Sequence, residues 1–83
     1  MNITLKFVFQ MDKRIEQIAK RLRELRIEKG YSSYEFFAWD HKIPRVQYFR
    51  MEKGTNFTIS SLLRILDAHK ITMREFFESL DEK

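Results

Sequence analysis

The sequence of 83 residues contains no cysteine, one proline and two glycines. Without cysteine the chain forms no disulfide and offers no thiolate ligand to a metal ion. The scarcity of glycine and proline leaves few helix-breaking positions and favours a mostly helical chain. No apolar run is long enough to cross a membrane, and the first residues are not expected to form a signal peptide, because Lys6 interrupts their apolar stretch. We therefore expect no membrane partner.

What is present indicates one small folded domain with a basic surface. Apolar residues make up 43% of the chain, which is ordinary for a globular protein and argues against disorder. A chain of this length has room for a single core. The net charge of +4 attracts polyanions such as nucleic acid or anionic lipid, although a purely solubilising role explains the charge equally well.

Residues 1–11 form an N-terminal arm in which apolar and polar residues alternate as in a β-strand, with Val8 as the exception. The rest of the chain supplies no second strand, and a lone strand is unstable in water. We expect the arm to pair with the same arm of a second molecule in a dimer. The alternatives are that the arm folds back on its own domain, or that Met11 is the natural start. The side chains predicted to be buried between two arms are Ile3, Leu5, Phe7 and Phe9.

Residues 12–83 are predicted to form five helices. Gly30 and Gly54 are expected to end the first and third helices, and His69 and Lys70 to place positive charge at the end of the fourth. The start signals are N-caps or capping boxes at Asp12, Ser32 with Glu35, Thr58, and Thr72 with Glu75. The apolar side chains expected in the core include Ile15, Ile18, Ala19, Leu22, Leu25, Phe36, Phe37, Ala38, Ile43, Ile59, Leu62, Leu63, Ile65, Leu66, Phe76, Phe77 and Leu80, while Trp39 is expected to be partly exposed.

The second and third helices are short and joined by a brief turn, as in a helix-turn-helix, whose second helix enters the major groove of DNA. Pro44 falls at or near the first turn of the third helix. If Tyr48 and Met51 face inward, the outward side chains are Arg45, Val46, Gln47, Phe49 and Arg50. Arginine pairs with guanine, glutamine pairs with adenine, and an apolar side chain contacts the thymine methyl group. The alternative is a solvated helix face with one exposed aromatic ring, which the chemistry alone favours.

Three segments, in order, resemble the Cro/C1-type (XRE-like) helix-turn-helix family. LRELRIEKGYS at 22–32 matches the pattern LRxxRxxxGxS, MEKG at 51–54 matches its ExG, and LLRILDAHKITMREFF at 62–77 is similar to its closing helix pair. The resemblance covers about residues 13–80 and implies an all-α, five-helix, lambda-repressor-like domain. The sequence departs from the family pattern at Ser33, where glutamine is usual, and at Pro44, where serine or threonine is usual.

This resemblance implies a cytoplasmic transcription regulator, repressor-like, that binds double-stranded DNA as a homodimer. The third helix would read base edges, and Arg26 and Glu52 would form a partly buried ion pair between the first and third helices. The backbone amides around 53–56 and nearby side chains would contact phosphates. The phosphate-binding candidates are Ser33, Tyr34, Lys53, Thr55 and Asn56. The alternative function is a protein-interaction module, such as an antitoxin-like domain with a protein partner, on the same scaffold.

No arrangement of residues points to catalysis. His41 and His69 are distant in sequence and have no cysteine to complete a metal site. Asp40 beside His41 is half of a catalytic pair, but no candidate nucleophile accompanies it. There is no glycine-rich phosphate loop. We expect a protein that is not an enzyme, with no cofactor and no metal.

Overall fold

The computed structural model describes residues 12–80, which form five α-helices and, within that range, no strand. The helices are α1 (Lys13–Glu28), α2 (Tyr34–Asp40), α3 (Arg45–Glu52), α4 (Ile59–His69) and α5 (Met73–Glu78). The predicted all-α, five-helix architecture is confirmed. The predicted strand and its dimerisation side chains, Ile3, Leu5, Phe7 and Phe9, lie outside the described residues. None of the five helices is both long and apolar enough to span a bilayer.

Polar side chains start the helices by accepting backbone hydrogen bonds that the first turn leaves open. Asp12 and Thr58 act in this way for α1 and α4. At α5, Thr72 accepts the N–H of Glu75 while the Glu75 carboxylate accepts the N–H of Thr72, which is a complete capping box. These three predicted helix starts are confirmed.

The predicted start of α2 was wrong by one residue. Ser33, and not Ser32, is the N-cap: its hydroxyl accepts the N–H groups of Glu35 and Phe36. The N–H of Phe37 donates to the Ser33 carbonyl, which closes the first helical turn at that residue. Two adjacent serines offer the same chemistry, and which of them caps depends on where the chain leaves the extended conformation.

Left-handed residues mark four helix ends. Gly30 and Gly54 follow α1 and α3 with φ of +100° and +92°, a conformation that glycine adopts without steric cost. Both predicted stops are confirmed. Lys42 and Lys70 follow α2 and α4 with φ of +57°, at a cost of roughly 1 kcal/mol each because their Cβ atoms crowd the backbone.

The core lies where all five helices meet. Its buried side chains are Leu22, Phe37, Ala38, Ile43, Tyr48, Met51, Leu62, Ile65, Leu66 and Phe76. Four side chains that the sequence placed in the core are exposed instead: Phe36 by 68%, Ile59 by 61%, Phe77 by 42% and Leu63 by 36%. Adjacent residues on a helix are about 100° apart, so the short helices α2 and α5 cannot bury every member of an apolar run. On the longer α4, Ile59 and Leu63 lie off the face that buries Leu62, Ile65 and Leu66.

Candidate nucleic-acid interface

Helices α2 and α3 are joined by residues 41–44, which set the angle between them. The chain reverses at Lys42, and the N–H of Ile43 donates to the carbonyl of Ala38. Ile43 then drops into the core, as predicted, with 6% of its surface exposed. Pro44 occupies the N-cap position of α3 and makes no side-chain cap. The N–H groups of His41 and Lys42 donate to the carbonyls of Phe37 and Trp39, so the turn is held by one buried side chain and three backbone hydrogen bonds.

The inner face of α3 is fixed at two levels. Tyr48 and Met51 are fully buried, as predicted, and the Tyr48 ring lies 5.0 Å from the ring of Phe37 on α2. Burial, more than the nearby carboxylate of Glu52, raises the pKa of Tyr48 far above its usual value, so the hydroxyl stays neutral. These contacts leave the opposite face of α3 directed away from the core.

A buried ion pair ties α3 to α1. The Arg26 guanidinium donates from Nε to Glu52 Oε2 at 2.7 Å and from Nη2 to Oε1 at 3.0 Å. Its third arm donates to the carbonyl of Tyr31 at 2.9 Å, which spans the α1–α2 connection. Both side chains are only 8% exposed. Hydrogen bonding to Glu52 raises the pKa of Arg26, and the predicted partly buried ion pair is confirmed.

The outer face of α3 is basic and apolar, and it comprises the predicted base-reading residues. Arg45, Val46 and Arg50 are exposed, and Arg45 reaches Glu35 on α2 at 3.5 Å. Phe49 is 37% exposed because its ring packs on Tyr34, with centroids 5.0 Å apart, and under the Lys53 ammonium. These two contacts cover part of the Phe49 ring and leave the rest accessible to a ligand.

Gln47 is the residue of this face whose burial and hydrogen-bond partner the sequence did not predict. Its side chain is half-buried, and its Nε2 donates to Ser61 Oγ on α4. Ser61 Oγ in turn lies 2.9 Å from Thr58 Oγ1. The sequence signalled Thr58 as a helix cap but gave no sign of Ser61, since a serine in the first turn of an amphipathic helix is unremarkable.

The phosphate-binding candidates lie beside this face, but the predicted use of backbone amides was wrong in part. The N–H groups of Lys53, Gly54 and Thr55 donate to carbonyls of α3, where they complete the helix end. The Ser33 hydroxyl caps α2, and Asn56 Oδ1 accepts the N–H of Phe57. The Thr55 hydroxyl donates to the Arg50 carbonyl at 2.7 Å. The exposed ammonium of Lys53 and the exposed side chain of Asn56 remain the groups available for phosphate, together with the half-buried Tyr34.

Comparison with solved structures finds this fold in restriction-modification controller proteins. C.AhdI from Aeromonas hydrophila matches with a TM-score of 0.69 and 31% identity, over 80% of this chain and 100% of that one. The chain belongs to the Cro/C1-type (XRE-like) helix-turn-helix family. Wild-type C.Esp1396I matches with a TM-score of 0.66 and 26% identity, over 77% of this chain and 83% of that one. A point variant of C.Esp1396I bound to its operator site OM matches with the same TM-score and identity, over 77% and 84%.

No family model matched the sequence, and neither did any curated protein sequence. Family membership therefore stands on the structural match together with the identity to C.AhdI. Pro44 gives α3 no side-chain cap. The buried Ile43 and the Arg26–Glu52 ion pair position the helix instead.

An exposed aromatic patch, formed by Phe36 and Trp39, lies on α2 beside the outer face of α3. Trp39 is 80% exposed, and its partial exposure was predicted. Phe36 is 68% exposed, although it was expected in the core. With Ile43, Glu35 and Arg45 they line an open groove of about 590 Å³. Neither ring is needed by the core, since Phe37 and Ala38 supply the buried side of α2.

The two histidines lie on one aromatic cluster, contrary to their separation in sequence. The His69 ring stacks on Phe37 at 5.0 Å, and the His41 ring lies 4.4 Å from the same phenyl group. Burial lowers the pKa of His69 to about 4, so its ring is neutral at pH 7 and only Lys70, the C-cap of α4, supplies the positive charge expected there. Within residues 12–80, no group of three or more His, Cys, Asp or Glu side chains is placed to hold a metal ion.

Proposed function

We propose that this protein binds double-stranded DNA sequence-specifically and regulates transcription, as a restriction-modification controller protein or a close functional equivalent. The observation that carries the proposal is the outer face of α3, where exposed Arg45, Val46 and Arg50 project from a helix that a buried ion pair holds in place. A rigid helix with arginines and an apolar side chain on its free face suits the major groove. The operator-bound C.Esp1396I variant shares this fold.

The proposal includes a homodimer that acts in the cytoplasm. Each chain presents one recognition helix, and two helices related by a two-fold axis read the two halves of a palindromic site. The proposed activity is binding, with no catalysed reaction. Phosphate contacts by Lys53 and its neighbours would set the affinity, while contacts of α3 with base edges would set the sequence preference.

Selection of bound sequences from a random duplex pool tests this proposal. We expect a two-fold symmetric consensus to emerge. Binding to that consensus should weaken with added salt, with a slope of about −0.9 in log K against log salt concentration for each phosphate neutralised. A pool that stays random after selection, with binding that salt does not change, would refute the proposal.

A second candidate function is a protein-interaction module on the same scaffold. The exposed Phe36 and Trp39 favour it, because two large aromatic rings on one short helix are more than a solvated surface needs. Replacing both rings by serine separates the two functions. DNA binding through α3 should survive this double substitution, whereas a module that acts through the aromatic patch should lose its partner and show no salt-dependent affinity for duplex DNA.

A further inference from the structure

We infer that Ser61 and Thr58, at the start of α4, are positioning residues that hold the Gln47 side chain for base recognition. This inference rests on the proposed DNA-binding function and names a specificity determinant outside the recognition helix. The Gln47 Nε2 donates to Ser61 Oγ, although the two residues lie 14 positions apart and on different helices.

The second link fixes Ser61 itself. Its Oγ lies 2.9 Å from Thr58 Oγ1, and its backbone N–H donates to the same oxygen at 3.2 Å. Thr58 is the N-cap of α4, so its position is set by the helix backbone and not by a flexible side chain. The hydrogen-bonded series Thr58–Ser61–Gln47 therefore runs from a rigid helix start to the outer face of α3.

The location of the series is the third observation. Val46, Gln47, Arg50, Asn56, Thr58 and Ser61 line one groove of about 420 Å³ between α3 and the start of α4. Three exposed members of this lining, Val46, Arg50 and Asn56, are residues predicted to contact bases or phosphate. A nucleic acid that meets α3 also meets this groove, so the series lies next to the ligand without having to contact it.

The chemical consequence concerns the free groups of the amide. A glutamine amide has one acceptor oxygen and two N–H donors. With one N–H given to Ser61, Oε1 and the second N–H remain, and these are the groups that pair with N6 and N7 of adenine. An ordered glutamine also loses less side-chain entropy on binding than a free one. Loss of the Ser61 hydroxyl should therefore weaken adenine recognition specifically.

The experiment compares variants that differ by one hydroxyl. Ser61→Thr keeps the hydroxyl. Ser61→Val has the shape of that threonine variant but carries a methyl group in place of the hydroxyl. Ser60→Ala is the matched control, because Ser60 also lies within 3.2 Å of Thr58 Oγ1 and is exposed. For each variant, the affinity is measured for the selected consensus and for every single-base change in it.

We expect Gln47→Ala and Ser61→Val to relax the same base pair, the latter by about three- to tenfold in discrimination, as part of what a bidentate contact supplies. Ser61→Thr and Ser60→Ala should keep the preference. In a Gln47→Ala background, Ser61→Val should change that base pair no further. Ser61→Ala removes the same hydroxyl with a residue of higher helix propensity, and it replaces Ser61→Val as the test if valine unfolds α4.

The inference is overturned if Ser61→Val and Ser61→Ala weaken every sequence by one common factor, since that is the signature of a merely structural hydroxyl. It is also overturned if they change nothing, or if Gln47→Ala leaves every base preference intact. In the last case Arg50→Ala still tests the proposed function, because loss of preference there would show that α3 reads DNA without Gln47.

Discussion

At the scale of single residues, the buried Arg26–Glu52 ion pair links α1 to α3. Both charges are removed from water, and each satisfies the other with two short hydrogen bonds. Removing one charge leaves its partner buried and unpaired. We expect Glu52→Gln to lower the free energy of unfolding by about 3–5 kcal/mol, measured by urea denaturation.

Glu35→Gln is the matched control for that experiment, because it removes the same charge from an exposed pair. Glu35 and Arg45 are 55% and 64% exposed and 3.5 Å apart. Such pairs contribute about 0–1 kcal/mol, since water already solvates both ions. Equal losses for Glu52→Gln and Glu35→Gln would contradict the structural role of the buried pair.

His69 gives stability a pH dependence of predictable sign. Burial lowers the pKa of His69 to about 4 in the folded chain, whereas an unfolded histidine has a pKa near 6.5. The unfolded state therefore binds the proton first as the pH falls, and stability is complete above pH 6.5 and decreases toward pH 4. We expect a loss of roughly 1–3 kcal/mol over this range, the lower values reflecting screening by water around a half-buried ring.

Unfolding at several pH values, with His69→Phe for comparison, measures this effect. The titratable groups around His69 are Arg21, Glu28, Lys29 and His41, and the substitution leaves all four residues in place. The unfolding free energy of wild type minus that of the variant should be constant above pH 6.5 and should decrease as the pH falls to 4. Parallel curves throughout that range would show that His69 does not take up the proton.

At the scale of helices, we expect different side chains of α3 and its C-cap to read bases and to bind phosphate. Arg50 is exposed on the face that meets the groove, while the Lys53 ammonium lies beyond the last turn, over the ring of Phe49. We expect Arg50→Ala to cost about 1–3 kcal/mol against the consensus and to relax one base position. Lys53→Ala should weaken binding to all sequences alike and reduce the salt slope by about 1. Titrations with the consensus and its point variants distinguish these outcomes.

The helices also show which features can be predicted from a sequence. Long α1 and α4 have a clear 3.6-residue period, and Ala19, Leu22, Leu62, Ile65 and Leu66 are buried as expected. The caps at Asp12, Thr58 and Thr72 were predictable because their chemistry is local. Motif spacing predicted the Arg26–Glu52 pair through the family resemblance, since two charges 26 residues apart carry no local signal.

The short helices and the connections between helices could not be predicted in the same way. In α2, the segment Phe36–Trp39 is apolar throughout, so its period does not say which rings are buried. The stacking of His69 on Phe37 and the bond from Gln47 to Ser61 depend on how α4 crosses α2 and α3. Such contacts arise from tertiary packing, and a single sequence specifies them only through the completed fold.

At the scale of the whole molecule, the open question is how two recognition helices are brought together. The alternating arm, residues 1–11, predicts an intermolecular ribbon, while exposed apolar side chains on α4 and α5, including Ile59, Leu63 and Phe77, offer a second surface. The two surfaces can be tested separately, because α1 begins at Lys13 with Asp12 as its N-cap, and both residues follow the arm in sequence.

We expect a chain shortened to begin at Met11 to lose its dimer, measured as molar mass in solution by light scattering across a range of concentrations. The reason is that an arm strand can satisfy its backbone groups by pairing with its copy, and this contact buries apolar side chains on both copies. Phe7→Ser with Phe9→Ser in the full chain should have the same effect, because it removes apolar area and keeps the length.

The shortened monomer should keep its fold, and its affinity for one half-site should be unchanged. Its affinity for the complete palindrome should fall, because two separate monomers lose the effective concentration that a dimer provides. An unchanged mass would assign dimerisation to another surface, and Phe77→Ser would then be the substitution that tests α5.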